Sequence, residues 1–185
     1  MKINSALLLL ASIVLLSGSA PAQTLGDLPA QTLGQNSGQN SAQTARALAP
    51  DWRDLPQTPG AWTYAAEPGG SAARFGLPGA LPLVVLRCDK VRPAVLIQRQ
   101  SLGSGALPAT ITTSSSARRL VAAPARGSQR AQNGPILFEI ALNTADPLLD
   151  AMAFSRGRFL FELGGAPALV LPAWAEVGRV IEDCR

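Results

Sequence analysis

The sequence predicts a mainly β domain, a small sandwich or partly open barrel, carrying two short helices, one of them at the C-terminus. Three observations predict it. From Trp62 to Leu163 the apolar residues recur mostly with period two, the pattern of strands with one face in a core. Gly and Pro punctuate these runs at short intervals, as in sandwiches and barrels. Two segments alone, one after Asp146 and one after Pro172, switch to helical spacing.

Along the chain, Trp62–Ala66 and Ala72–Phe75 bracket Pro68-Gly69-Gly70, a strong turn signal. Leu81–Cys88 is apolar on both faces, as a central strand would be. Ala94–Gln98 follows the turn-like Asp89–Pro93, and Ala109–Ser114 with Arg118–Ala122, joined by serines, suits a hairpin. Ile136, Phe138, Ile140 and Leu142 share one face of the next strand, with Glu139 on the other. Asp146-Pro147 opens a helix, with Asp as N-cap and Pro at the first helical position. Leu148, Leu149 and Met152 form its apolar stripe and Gly157 stops it. Phe159, Phe161 and Leu163 line a further strand, with Arg158 and Glu162 opposite. The last helix starts near Pro172, with Trp174, Val177, Ile181 and Cys184 at helical spacing and Glu176 in its first turn.

The N-terminal region reads differently. Lys2, the apolar run Ala6–Leu16 and the small residues ending in Ala20-Pro21-Ala22 make the three parts of a secretory leader, cut after Ala22. The run is too short to cross a hydrocarbon core of about 30 Å. Residues 23–50 hold a direct repeat, Pro21–Gly26 echoed at Pro29–Gly34, then a Gln/Asn/Ser/Gly tract. Such a composition predicts a disordered low-complexity linker. The expected organisation is a signal peptide over 1–22, a linker over 23–50 and a single β-rich domain over 51–185. The product is expected to be periplasmic or secreted, with no transmembrane segment in the mature chain.

Composition excludes several chemistries. The chain has no histidine, so it lacks the usual general base and the usual zinc ligand, and neither a Ser-His-Asp nor a Cys-His arrangement can form. Its two cysteines, Cys88 and Cys184, in an exported chain favour a disulfide over two free buried thiols. The glycine-rich pieces lack the Lys-Ser/Thr ending of a phosphate loop, and the Asx-rich loop of a calcium site is missing. No catalytic residue, cofactor or metal is expected.

Charge is distributed unevenly. The segment Arg87–Arg130 carries a net charge of +7, whereas Glu139 onward carries −3. These segments either neutralise one another in the fold or leave a basic face. Nucleic acid is an improbable partner for an exported chain with a single tyrosine, so a basic face would meet an anionic envelope component or an acidic protein. Two places stand out as ligand or partner contacts. Ser114–Arg119 reads as a hairpin tip bearing Arg118 and Arg119, and Ser155–Arg158 places Arg156 and Arg158 between a helix and a strand. Solvated turns and a helix stop are the plainer readings of the same residues.

Five strings, TPGAWTY (58–64), EPGGSAARFG (67–76), LRCD (86–89), DPLLDAMAFSRGR (146–158) and LPAWAEVGRVIEDCR (171–185), resemble a group of uncharacterised exported proteins of alphaproteobacteria. That resemblance implies an exported location and no particular activity. The strand–SRG–strand order and the terminal cysteine are also similar in layout to invasion-associated locus B proteins, small periplasmic β-sandwiches, which would imply a stress or host-interaction role. The expected function is therefore a non-enzymatic periplasmic or secreted binding or envelope-associated module. One alternative is an inhibitor or accessory factor that inserts the arginine-bearing hairpin into an acidic cleft. The other is a hydrolase working by carboxylates alone, with Asp146 and Asp150 as the candidate pair.

Overall fold

The computed structural model describes residues 51–128 and 134–185; the expected leader and linker lie outside the described residues. Nine strands form one curled antiparallel sheet, a half-barrel: β1 (Ala61–Glu67), β2 (Gly70–Gly76), β3 (Val84–Asp89), β4 (Ala94–Ser101), β5 (Leu107–Thr112), β6 (Ala117–Pro124), β7 (Ile136–Asn143), β8 (Arg158–Leu163) and β9 (Leu169–Pro172). Two helices, α1 (Pro147–Ala153) and α2 (Ala175–Asp183), complete the domain, so the mainly β class with a C-terminal helix is what the chain adopts. The strand order is β1-β2-β3-β4-β7-β6-β5-β8-β9. Strand β6 turns the corner, because its first six residues pair with β5 while Ala123 and Pro124 pair with Glu139 and Phe138 of β7.

Period-two patterning decides which face is inside. Phe75, Phe138, Phe159 and Phe161 are each at most 1% exposed on the concave face, and burial of such a side chain contributes roughly 1.5–3 kcal/mol. The sheet nearly closes on itself. The Trp62 indole N–H of β1 donates to the Pro172 carbonyl of β9 at 2.8 Å. Ahead of β1, the Thr58 N–H donates to Val170 O, and Val170 N–H donates to Thr58 Oγ1, each at 2.9 Å. The short edge strand β9 therefore has its outer backbone groups satisfied, which protects it from pairing with another chain.

Helix α2 covers the concave side against β1–β3 and α1, burying Val177, Val180 and Ile181. Tyr64 Oη donates to Asp183 Oδ2 at 2.7 Å, and Arg179 lies over the Tyr64 ring, 4.1 Å from its centroid. The helix ends on Cys184, which forms a disulfide with Cys88 of β3 across a Cα–Cα distance of 5.3 Å. Helix α1 opens as its sequence predicts, with the Asp146 side chain accepting from the Leu148 N–H at 2.9 Å and Pro147 in the first position. Among the described residues no helix is long and apolar enough to cross a membrane.

Three details differ from the sequence expectation. The central strand begins at Val84, leaving Leu81 76% exposed in the β2–β3 loop, because Pro78 and Pro82 break the ladder before it. Trp174 is the N-cap of α2 and 44% exposed, outside the buried stripe. Strand β9 was not expected; it is four residues long, ends in Pro172 and follows closely on Pro167, which hides it among turn signals.

Candidate functional site

The two arginine-bearing segments meet at one end of the sheet. The β5–β6 turn folds on Thr113, whose Oγ1 accepts from the N–H groups of Ser115 (3.3 Å) and Ser116 (3.0 Å). This turn docks on the α1–β8 connection through a reciprocal pair. Ser114 N–H donates to Ser155 Oγ at 3.0 Å, and Arg156 N–H donates to Ser114 Oγ at 3.1 Å. Buried Ser155 also donates to the Arg158 carbonyl. Gly157, at φ +77°, provides the left-handed step that lets the chain reverse between Arg156 and Arg158.

Onto this junction comes the 3-10 turn Trp52–Asp54, held by Arg158 Nη1 donating to Leu55 O at 3.0 Å. Trp52, Arg53, Ser114, Arg156 and Arg158 together line a recess of about 290 Å³. Its lining has three guanidiniums and no acid. Arg53 lies over the Trp52 ring at 5.0 Å and pairs with Asp51 at 3.2 Å. That pair is half exposed and so screened by water. The Arg53 backbone N–H, then its guanidinium, hold the Asp51 carboxyl below the usual value of 3.8. Among the described residues, the Arg156 guanidinium has no hydrogen-bond or ion-pair partner.

Of the expected contact residues, the structure thus brings together Arg156, Arg158 and Ser114, but neither Arg118 nor Arg119. Arg118 faces the other way and grips Asp146, Nη2 to Oδ2 at 2.8 Å with a second contact from Nη1 to Oδ1. Arg119 is exposed on the convex face, opposite Thr110 of β5. The sequence reading does not single out Trp52 and Arg53; the available signal is an adjacent Trp-Arg pair at the start of the domain, in which Trp52 is half-buried and Arg53 exposed.

Two cations of the Arg87–Arg130 segment are matched by the acidic segment, Arg92 by Glu139 and Arg118 by Asp146. On the convex face a larger recess, about 480 Å³, is lined by Arg87, Arg92 and Arg126 but also by Asp89 and Glu139. There Arg92 contacts Asp89 Oδ2 at 2.5 Å and Glu139 Oε1 at 3.1 Å, and Gln98 donates to Glu139 Oε2 at 2.9 Å. Its three arginines face two acids, and Arg87 also lies 3.5 Å from Glu67, so most of the charge in this recess is matched. In the recess at Trp52, Arg53 is paired with Asp51, whereas Arg156 and Arg158 have no acid beside them among the described residues. Among the described residues no group of three His, Cys, Asp or Glu is placed to hold a metal ion. Comparison with family models, curated proteins and solved structures finds no match to this chain.

Proposed function

We propose that the protein is an exported, non-enzymatic binding module that captures an anionic group, on an envelope component or an acidic protein, in the recess formed by Trp52, Arg53, Ser114, Arg156 and Arg158. The observation that carries this reading is the lining itself: three guanidiniums around about 290 Å³ without a carboxylate among them. A guanidinium fork suits a carboxylate or phosphate, Arg156 has no partner of its own among the described residues, and Trp52 adds an indole to the lining. The export pattern at residues 1–22 and the Cys88–Cys184 disulfide support an oxidising compartment.

The alternatives draw less support. A hydrolase would need a carboxylic acid kept protonated near neutral pH, yet the Arg118 guanidinium holds the Asp146 carboxyl below its ordinary value, and Asp150 is paired with Arg185 at 2.7 Å. A plug inserted into a cleft needs a free tip, and Ser114 is tied down to Ser155 and Arg156.

The test is binding of the protein to vesicles containing phosphatidylglycerol, to neutral phosphatidylcholine vesicles and to polyglutamate, at low and high salt. Binding to one anionic probe should fall with salt, and Arg156→Ala should weaken it about tenfold or more while leaving the melting temperature unchanged. Equal binding by wild type and the variant would overturn the assignment of the recess.

A further inference from the structure

Arg99 lies inside the protein. It is 6% exposed and follows Val95 and Ile97 on the concave face of β4, with Ser101 next along. Its cross-strand neighbour is Phe138, and its guanidinium lies over the Phe161 ring, 5.6 Å from the centroid. Nη2 donates to the Pro167 carbonyl, whereas Nη1 is buried with no hydrogen-bond partner among the described residues. Among the described residues no carboxylate pairs with it either. A buried charge is normally retained only with a counter-charge and a full set of hydrogen bonds, and Arg99 has neither. Burial pushes its pKa down to about 10, so it is still a cation at neutral pH.

The cover over this cation is the β8–β9 turn, residues 164–168, held by Ser101 Oγ donating to Gly164 O at 2.8 Å, by the Gly164 N–H donating to Pro108 O at 2.9 Å and by Arg99 donating to Pro167 O. Pairing of β8 with β9 stops at Phe161–Leu169, so residues 165–168 can lift with Gly164 still anchored to Pro108 and without breaking a rung between the two strands. Gly165, at φ +76°, sits so close that a Cβ there would stand 2.7 Å from Ser101 Oγ. The turn is thus seated directly on the buried polar pair Arg99 and Ser101.

We propose that Arg99 is the receptor of a cryptic site for a small carboxylate, admitted when the β8–β9 turn lifts, with the side chains of Phe138 and Phe161 as its apolar walls. The bound carboxylate accepts from Nη1 and takes over, on Nη2, the place of the Pro167 carbonyl. The planar two-oxygen group matches the guanidinium fork, and one negative charge neutralises one positive charge. A multiply charged phosphate would leave excess charge against two phenylalanines. The site is separate from the recess at Trp52. Arg158 begins β8 and Gly164 follows its last residue, so the two lie at opposite ends of that strand, roughly 20 Å apart at the usual rise.

The experiment measures melting temperature while acetate replaces chloride at constant ionic strength, for wild type, Arg99→Met, Arg99→Lys and the double variant Arg156→Ala/Arg158→Ala. Wild type and the double variant should rise with acetate, Arg99→Met should not respond, and Arg99→Lys, a point charge without the fork, should need about tenfold more acetate. In parallel, the arginine side-chain nitrogen signals of the labelled protein should show one guanidinium shifting with acetate. An acetate response that persists in Arg99→Met, disappears in the double variant, or is absent from wild type overturns the proposal. If Arg99→Met fails to fold, the Arg99→Lys shift and the guanidinium signal decide it.

Discussion

Arg118 and Asp146 meet side by side, two guanidinium nitrogens against two carboxylate oxygens, and so join the β5–β6 hairpin to the first turn of α1. The same carboxylate caps the helix through the Leu148 N–H. One acid thus serves a strand and a helix that are 28 residues apart in sequence. Together with Arg92 and Glu139, this pair is how the basic middle of the chain is matched to its acidic end.

Because Asp146 has two roles and Arg118 one, the two truncations should differ. Arg118 is 41% exposed in its side chain, so Arg118→Ala should cost only about 0.5–1 kcal/mol. Asp146→Ala loses the cap as well and should cost about 1–2 kcal/mol. Urea denaturation of both variants measures the difference, and equal costs would mean the cap contributes nothing. The Arg118 hydrogen bond lowers the Asp146 pKa from 3.8, with the Leu148 N–H adding to it. Its contribution is therefore complete above pH 3.8 and is lost as pH falls through the lower folded value. Below that range wild type and Asp146→Asn should converge in stability, and curves that stay parallel would contradict this.

The seam between β1 and β9 gives a second prediction. Trp62→Phe keeps an aromatic ring against Phe75, whose centroid lies 5.2 Å from that of Trp62. It removes the N–H that satisfies the buried Pro172 carbonyl. An unsatisfied buried acceptor costs about 1–3 kcal/mol, so the variant should be destabilised by that much although its packing is conserved. Hydrogen exchange at the Val170 amide should quicken at the same time, because Val170 bonds Thr58 on the same seam. Unchanged exchange with lowered stability would place the loss in packing.

The parts of this fold governed by local patterning were readable in the sequence. The Phe138 and Phe161 faces, the Asp146 cap and the helical spacing of Val177 and Ile181 each depend on residues within one element, and each came out as read. What depended on distant partners was not. The direction of Arg118 is set by Asp146, and the burial of Arg99 by where β8 and β9 fall. Yet Arg99 and Ser101 continue the Val95–Ile97 alternation, so extending that strand past Gln98 would have placed a charge on the core face. The recess at Trp52 joins three segments separated by 42 or more residues; the sequence offered its arginines but not their convergence.

Arg99 makes a third prediction, independent of any ligand. Its folded pKa, about 10, lies below the ordinary guanidinium value. The cost of burying the cation is therefore present at every pH below about 10 and is relieved as pH rises through that value, where the unfolded chain holds more protons. In chloride buffer at pH 7, Arg99→Met should be more stable than wild type by an amount on the order of 1 kcal/mol. That advantage should shrink as pH rises above about 10. A variant that is less stable than wild type at pH 7 would show that the bond to Pro167 outweighs the uncompensated charge.

The disulfide gives the largest expected effect. Cys88 and Cys184 are 96 residues apart, and the bond fixes the end of α2 on β3. Closing a loop of that length removes chain entropy worth about 4–5 kcal/mol from the unfolded state. The double variant Cys88→Ser/Cys184→Ser should lose most of this, because Val177, Val180 and Ile181 still hold α2 by burial and the native contacts are otherwise unchanged. Guanidinium denaturation of wild type with and without reductant should reproduce the variant's shift. A fall much below 4 kcal/mol would mean that α2 already pins the tail of the chain in the unfolded ensemble. A variant whose α2 amides exchange freely under native conditions would instead show that the bond, and not the buried valines and isoleucine, seats the helix.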